Sequence, residues 1–362
     1  MSAVVSLSVR PLDLPLKNPF EIVLGTRREA ANVLVTVETA SGTAGYGEGS
    51  PLPPVTGETQ GAAIETARAA AAVVEGREIG DYRQLVDEVR AAFPGMVSAL
   101  FAVETAILDA YCRERGLALA ELFGGQPTPV ETDLTIPIVG PTTAAERARW
   151  ADGEGYDRLK IKAGADLGDD VERVAAVAGA APDAALTVDA NQGWSPKETA
   201  RFAERVTDRG IDLDLIEQPV PAADVAGLAR VRERVDVPVA ADEAVFTPAD
   251  AIRVVRAEAA DIVTAKLGKS GPLAVADIVA IARAADLEVM IGCMLESAIG
   301  IHASAHVVAG RGGFAHVDLD GNRLLAEDVI DDDGPTHDVS GPGHGVTPGA
   351  GTGTGTETDT EE

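Results

Sequence analysis

From about residue 130 onward, one pattern recurs: a short apolar run, bounded by turn or helix-start signals, followed by a helix-length segment. The runs fall at 133–139, 158–162, 185–189, 214–217, 237–242, 262–266, 288–294 and 316–318. Their last residues lie 23, 27, 28, 25, 24, 28 and 24 positions apart, about what a strand, a helix and two short loops occupy. Parallel strands buried on both faces read as continuous apolar runs, and their alternation with helices implies a parallel sheet. Eight units of this size close into a (β/α)8-type barrel. An open doubly wound sheet would carry fewer strands and, if it bound nucleotide, a glycine-rich turn after the first. No G-x-G-x-x-G follows any run, and the Gly/Thr alternation at 351–356 is low-complexity tail.

The first 125 residues have a different texture. Period-two stretches at 4–16 and 32–39 predict strands, and helices are expected over 60–75, 82–92 and 96–115. The last carries Ala99, Ala102, Val103, Ala106, Ile107 and Ala110 at helical spacing. Segments 19–28 and 47–59, the second holding Pro51, Pro53 and Pro54, are expected to be long exposed loops of the kind that serve as lids. The chain therefore divides into an α+β capping domain over 1–125 and a barrel over 126–323. Segment 324–345 is expected to pack back on the cap, and 346–362 to form a disordered acidic tail.

The 58 acidic and 30 basic side chains give a net charge of −28. A phosphate backbone needs a basic face, so nucleic acid is excluded as a partner, and an anionic membrane surface is disfavoured. No apolar run reaches the roughly 18 residues of a membrane span. The first ten residues lack the pattern of a signal peptide. Cys112 and Cys293 can form no disulfide framework, and neither has a partner at metal-ligand spacing. A soluble, cytoplasmic homo-oligomer is expected. Lysine is scarce, with six against 24 arginines. An acidic, lysine-poor surface suits concentrated salt, where repulsion is screened within about 3 Å at 1 M, so a halophilic source is expected. Four of the six lysines sit in two motifs, KIK and KLGK. Those positions call for an ammonium that can lose its proton, which arginine cannot do.

Reactive groups of a parallel barrel gather at the C-terminal ends of its strands. That is where the charged residues of this chain accumulate: Lys160 and Lys162, Asp189 and Asn191, Glu217, Asp242 and Glu243, Lys266, Glu296, then Asp318 and Asp320. Residues two apart on a strand share a face, and an inward charge is costly unless paired or coordinated. Asp189, Glu217 and Asp242 come from three adjacent strands and converge. A hard cation bound by oxygen relieves their repulsion, which points to Mg²⁺, while the scarcity of His and Cys disfavours zinc. Lys160 and Lys162 flank the trio on one side, Lys266 with Lys269 on the other. Two bases facing one carbon from opposite sides can remove a proton from one face and return it to the other, the layout for racemisation or epimerisation beside a carboxylate.

The pieces LKIKAG (159–164), VDANQGW (188–194), IEQP (216–219), ADEAVF (241–246), AKLGKSG (265–271) and GCMLESAIG (292–300), in this order, resemble the muconate-lactonising subgroup of the enolase superfamily. VDLDG (317–321) looks like the Asp-x-Asp of its dipeptide epimerases. The resemblance spans the chain to about residue 330. It implies a (β/α)7β-type TIM barrel with an N-terminal α+β cap completed by the C-terminal segment, and Mg²⁺-dependent epimerisation of a dipeptide through an enediolate. On that resemblance Asp189, Glu217 and Asp242 bind one Mg²⁺, and Lys162 and Lys266 are the acid and base. Lys160 helps neutralise the substrate carboxylate, and Asp318 and Asp320 take its ammonium group. Thr135, Cys293 and Leu295 line the dipeptide site, with Asn191, Glu243, Lys269 and Glu296 in support. Cys293 otherwise reads as a small apolar residue. Where Ala-Glu epimerases carry an arginine in the first loop, the matching position is Gly25, with Arg27 and Arg28 further on. The alternatives are an o-succinylbenzoate synthase or muconate cycloisomerase-like reaction, which leaves Asp318 and Asp320 without a role, and a barrel that binds without catalysing.

Overall fold

The computed structural model describes residues 2–349. Residues 350–362, most of the expected tail, lie outside the described residues. Val346 is buried in one cluster with Leu12, Leu14 and Leu16, and its carbonyl accepts from Arg113 at 2.6 Å. Packed chain therefore extends past the expected boundary.

An antiparallel sheet opens the chain, with β1 (Val4–Ile22), β2 (Gly25–Thr39) and β3 (Ala44–Gly49) in that order. The segment expected as a loop over 19–28 is instead the far end of the β1–β2 hairpin, with Phe20 opposite Arg27, Glu21 opposite Thr26 and Ile22 opposite Gly25. A register shift between Pro15 and Phe20 breaks the alternation there, which is why the strand is silent in the sequence. The 47–59 segment holds the end of β3 and a one-turn helix α1 (Pro53–Thr56). Helices α2 (Gln60–Val74), α3 (Tyr82–Ala92) and α4 (Val97–Arg115) follow as expected. Helix α4 lies very close to β3. A Cβ at Gly45, Gly47 or Gly49 would collide with its backbone at Ala110, Ala102 or Ser98, so the glycines of one strand face and the small residues of one helix face fit together.

Strand β4 (Val130–Glu131) precedes the barrel. The barrel strands are β5 (Leu134–Ile136), β6 (Arg158–Lys162), β7 (Ala185–Asp189), β8 (Leu215–Glu217), β9 (Val239–Ala241), β10 (Ile262–Lys266), β11 (Glu288–Gly292) and β12 (His316–Asp318). They form one eight-stranded sheet in chain order, every neighbouring pair parallel. Helical crossovers join them, the (β/α)7β pattern. Across the seam, the Asp133 amide donates to the Val317 carbonyl at 3.1 Å and the Leu319 amide to Thr132 Oγ1 at 2.7 Å. Outward Ile161, Val188, Ile216 and Ile291 pack into the helical shell, while Leu215, Ala240, Ile262 and Met290 form a separate small cluster inside the sheet.

After β12 the chain returns to the cap. The Ala326 amide donates to Pro15 O at 2.7 Å, strand β13 (Thr336–His337) pairs with β4, and the His344 amide donates to Asp109 of α4 at 2.9 Å. Cys112 and Cys293 are both free thiols. Among the described residues, no helix is long and apolar enough to cross a membrane.

Candidate active site

Strand register brings the charged residues to one level. Lys162 on β6 is the partner of Asp189 on β7, which is the partner of Glu217 on β8. On the other side Lys266 of β10 lies beside Gly292 of β11, and Gly292 beside Asp318 of β12. Asp242 follows directly after β9. Strands β6 and β10 stand four apart among eight, so Lys162 and Lys266 rise from opposite staves, with the acids of β7, β8 and β9 between them. Gly292 makes room: a Cβ there would press on the Lys266 side chain at 2.8 Å.

The buried lysines of the site are paired with acids from neighbouring strands. Lys162 Nζ lies 2.7 Å from Asp189, and Lys266 Nζ lies 2.8 Å from Asp242. Lys269 donates to the Asp242 carbonyl and carboxylate, both at 2.6 Å, and to Thr264 O at 3.1 Å. Lys160 is more deeply buried than Lys162 or Lys266. Its ammonium is enclosed by Asp318 at 2.6 Å, Glu217 at 2.6 Å and Asp189 at 3.2 Å, and it does not line the cavity. Two residues before Lys162 on the same strand face, it sits one layer deeper, among the acids of the floor.

The charges set one another's proton affinity. Burial alone would raise Asp189, but Lys162, Lys160 and Lys266 outweigh it and hold the carboxyl well below its usual range. Asp242 is likewise held low by Lys266 and Lys269 against burial. Glu217 is pushed up to about 7 by burial, against the pull of Lys160. Glu243 rises to about 8 through burial and the neighbouring Asp242 and Asp189. For Lys266 burial lowers the proton affinity, but Asp242 wins and holds the ammonium protonated. For Lys269 burial wins, and the shift is downward.

Above this floor lies a cavity of about 390 Å³, within the range of small-molecule sites. Lys162, Asn191, Asp242, Glu243, Lys266 and Lys269 line it, as do Thr135, Cys293, Leu295, Asp318 and Asp320. Glu296 does not; its Oε1 accepts from the Met294 amide at 2.9 Å and shapes the loop after β11. Asp320 accepts from the Thr135 amide at 2.6 Å and from its hydroxyl at 3.2 Å. Burial and Asp318 push Asp320 up to about 6. The cap supplies the opposite wall through Phe20, Ile22, Leu24, Arg27, Leu52 and Val55. Arg27 was expected only as a neighbour of the loop position; the hairpin turns it into the cavity wall.

Two residues escaped the sequence reading. Gln218 accepts the amides of Asp242 at 2.9 Å and Ala244 at 3.1 Å, fixing the Asp242 loop from the next strand. Its φ of 34°, with 39° at Asn191, is left-handed for a non-glycine residue, strain of the kind held at functional sites. Its place directly after Glu217 in IEQP was the available signal. Asp133 is fully enclosed near Asp318, and burial with that neighbour raises it well above the usual range. Lying before β5, it carries no sequence signal.

The donor set fits Mg²⁺. The carboxylates of Asp189, Glu217 and Asp242 offer oxygen donors from three adjacent strands, and buried Glu217 Oε1 accepts no hydrogen bond. Lys160 touches Glu217 Oε2 at 2.6 Å without hydrogen-bond geometry. The ammonium groups now lie between the acids. The tighter ligand sets among the described residues, each within 4.8 Å, are Cys293/Asp318/Asp320 and His302/Asp332/His337.

Comparison with known proteins gives consistent matches. Residues 142–359 match the enolase C-terminal domain-like family, and 4–124 the N-terminal domain of mandelate racemase / muconate lactonizing enzyme. An L-Ala-D/L-Glu epimerase of Thermotoga maritima is 37% identical over 91% of this chain and 95% of its own. An aromatic dipeptide epimerase of Herpetosiphon aurantiacus is 37% identical over 90% of this chain and 92% of its own. The structure of a dipeptide epimerase from Enterococcus faecalis, complexed with Mg and the dipeptide L-Leu-L-Tyr, superposes with a TM-score of 0.91 at 32% identity, covering 96% of this chain and all of that one.

Proposed function

The chain belongs to the mandelate racemase / muconate lactonizing enzyme family of the enolase superfamily, and on that premise we propose that it is a Mg²⁺-dependent dipeptide epimerase. The observation that carries this function is the placement of Lys162 and Lys266 on opposite staves, with three carboxylates between them. Asp189, Glu217 and Asp242 would hold the ion. When bound, Mg²⁺ supplies positive charge that offsets the negative charge growing on the substrate carboxylate as its α-proton leaves. One lysine, as the neutral amine, takes that proton from one face of the α-carbon. The opposite lysine, as the ammonium, returns a proton to the other face, and exchanging the roles serves the opposite enantiomer. Asp318 and Asp320, both facing the cavity, bind the substrate ammonium. Lys160 offsets part of their charge from below, and Asp133 stands behind Asp318.

Incubating a dipeptide library with the enzyme in D₂O tests this directly. Deuterium should enter at the α-carbon beside the carboxylate, cease with EDTA and return with Mg²⁺. Absence of exchange on every dipeptide would sink the proposal. The second residue of the preferred dipeptide meets the cap wall, where Gly25 stands at the position matching the arginine of Ala-Glu epimerases and Arg27 lines the cavity two residues on. We read the protein as a cytoplasmic homo-oligomer adapted to salt. Light scattering on the purified protein, cell fractionation and an unfolding temperature that rises with KCl test those three points.

A further inference from the structure

Strand β12 ends at Asp318, so the next two residues, Leu319 and Asp320, leave the sheet just where the second acid must be aimed. The two peptide groups of Leu319 are nonetheless both held. The Leu319 amide donates to Thr132 Oγ1 at 2.7 Å, and the Leu319 carbonyl faces His337 Nε2 at 2.9 Å. A carbonyl only accepts, so Nε2 carries the proton. His337 is wholly buried and reaches this carbonyl from β13, in the segment that returns to the cap.

The other ring nitrogen is anchored as firmly. His337 Nδ1 lies 2.8 Å from Asp332 Oδ2 and 3.2 Å from Arg323 Nη2. In the charged ring Nδ1 donates to Asp332; in the neutral ring it accepts from Arg323. Both forms keep the proton on Nε2 and leave the ring in the same orientation. Asp332 also contacts His302 Nε2 at 3.2 Å and accepts from Asn322 Nδ2 at 3.0 Å, so one carboxylate gathers donors from the helix Ala298–Arg311 and from the turn after Asp320. Although His302, Asp332 and His337 have ligand-like spacing, Arg323 places a fixed cation beside Nδ1 and Asp332. The cluster is a hydrogen-bonded hub and not a metal site.

We propose that His337 is a positioning residue for the substrate-ammonium acids: anchored by Asp332, it clamps the Leu319 carbonyl and so keeps the carboxylates of Asp318 and Asp320 turned into the cavity. This rests on the role given above to those two acids. Outer groups that orient binding groups commonly govern affinity without touching the ligand. His337→Phe keeps a ring in the buried site but removes the donor. It should raise KM for the dipeptide about tenfold while leaving kcat near the parent value. His337→Gln, whose side-chain amide can reach the same carbonyl, should restore KM. Equal losses in the two variants, or a fall in kcat with KM unchanged, would overturn the proposal, because loss of packing alone does not distinguish a donor from an isosteric ring. Should the Phe variant not fold, His337→Met, a flexible side chain with no donor, should give the same selective rise; an unchanged KM there counts against the clamp. Failure of the underlying role shows separately, since Asp320→Asn would then leave KM unaffected in the otherwise unaltered enzyme.

Discussion

On the barrel side of the cavity, Lys162, Asp189, Asp242, Lys266 and Lys269 are buried and each is paired with an opposite charge from a different part of the barrel. On the cap side, Phe20, Ile22, Leu24, Leu52 and Val55 present apolar surface, and among the described residues Arg27 and Arg28 have no charged partner. The floor is held by interactions between strands whose spacing the sheet dictates. The rim stands on a two-residue hairpin turn and a one-turn helix, which tolerate exchange. On the function proposed above, the chemistry belongs to the rigid part and selection among substrates to the adaptable one.

Substitutions at the floor and the rim should therefore fail differently. Lys162→Ala or Lys266→Ala should lower α-proton exchange by about 10²- to 10⁴-fold for every dipeptide. Exchange that survives on one enantiomer only would identify which face each lysine serves. Asp320→Asn should raise KM by about tenfold to a hundredfold with a much smaller change in kcat, as expected for a lost charged contact. Arg27→Ala should cost about tenfold in kcat/KM for dipeptides with an acidic second residue and leave apolar ones unchanged. A uniform loss across substrates would show that the rim serves the chemistry after all.

The smallest effect concerns the joint between the two regions. Glu48 of β3 accepts the amides of Ser297 and Gly300 at the start of the helix Ala298–Arg311, at 2.9 and 3.1 Å. Beside it Glu296 is pushed up to about 8 by burial and by Glu48. The unfolded chain releases that proton near the ordinary 4.5, so stability falls as the pH rises from there through about 8. Glu296→Gln should raise Tm by a few degrees above pH 8 and leave it unchanged below pH 4.5. A uniform shift at all pH values would assign the gain to packing instead.

Much of the floor was legible. Asp189, Glu217, Lys266 and Asp318 each end an apolar run, and a run buried on both faces has no other reason to finish in a charge. The hairpin at 20–27 was not legible, because the register shift after Pro15 removes the period-two signal. Nor was the clamp on Leu319, which joins an ordinary loop carbonyl to a histidine 18 positions away with no local pattern linking them.

The sequence by itself determined the number and order of the barrel strands and the charged groups that end several of them, because burial and parallel pairing write directly into local composition. Only the tertiary structure decided depth and aim: that Lys160 sits beneath the cavity while Lys162 faces it, and that Arg27 lines the cavity wall. Those outcomes depend on where a side chain lands relative to residues far away in the chain, and contacts of that kind leave no periodicity to read.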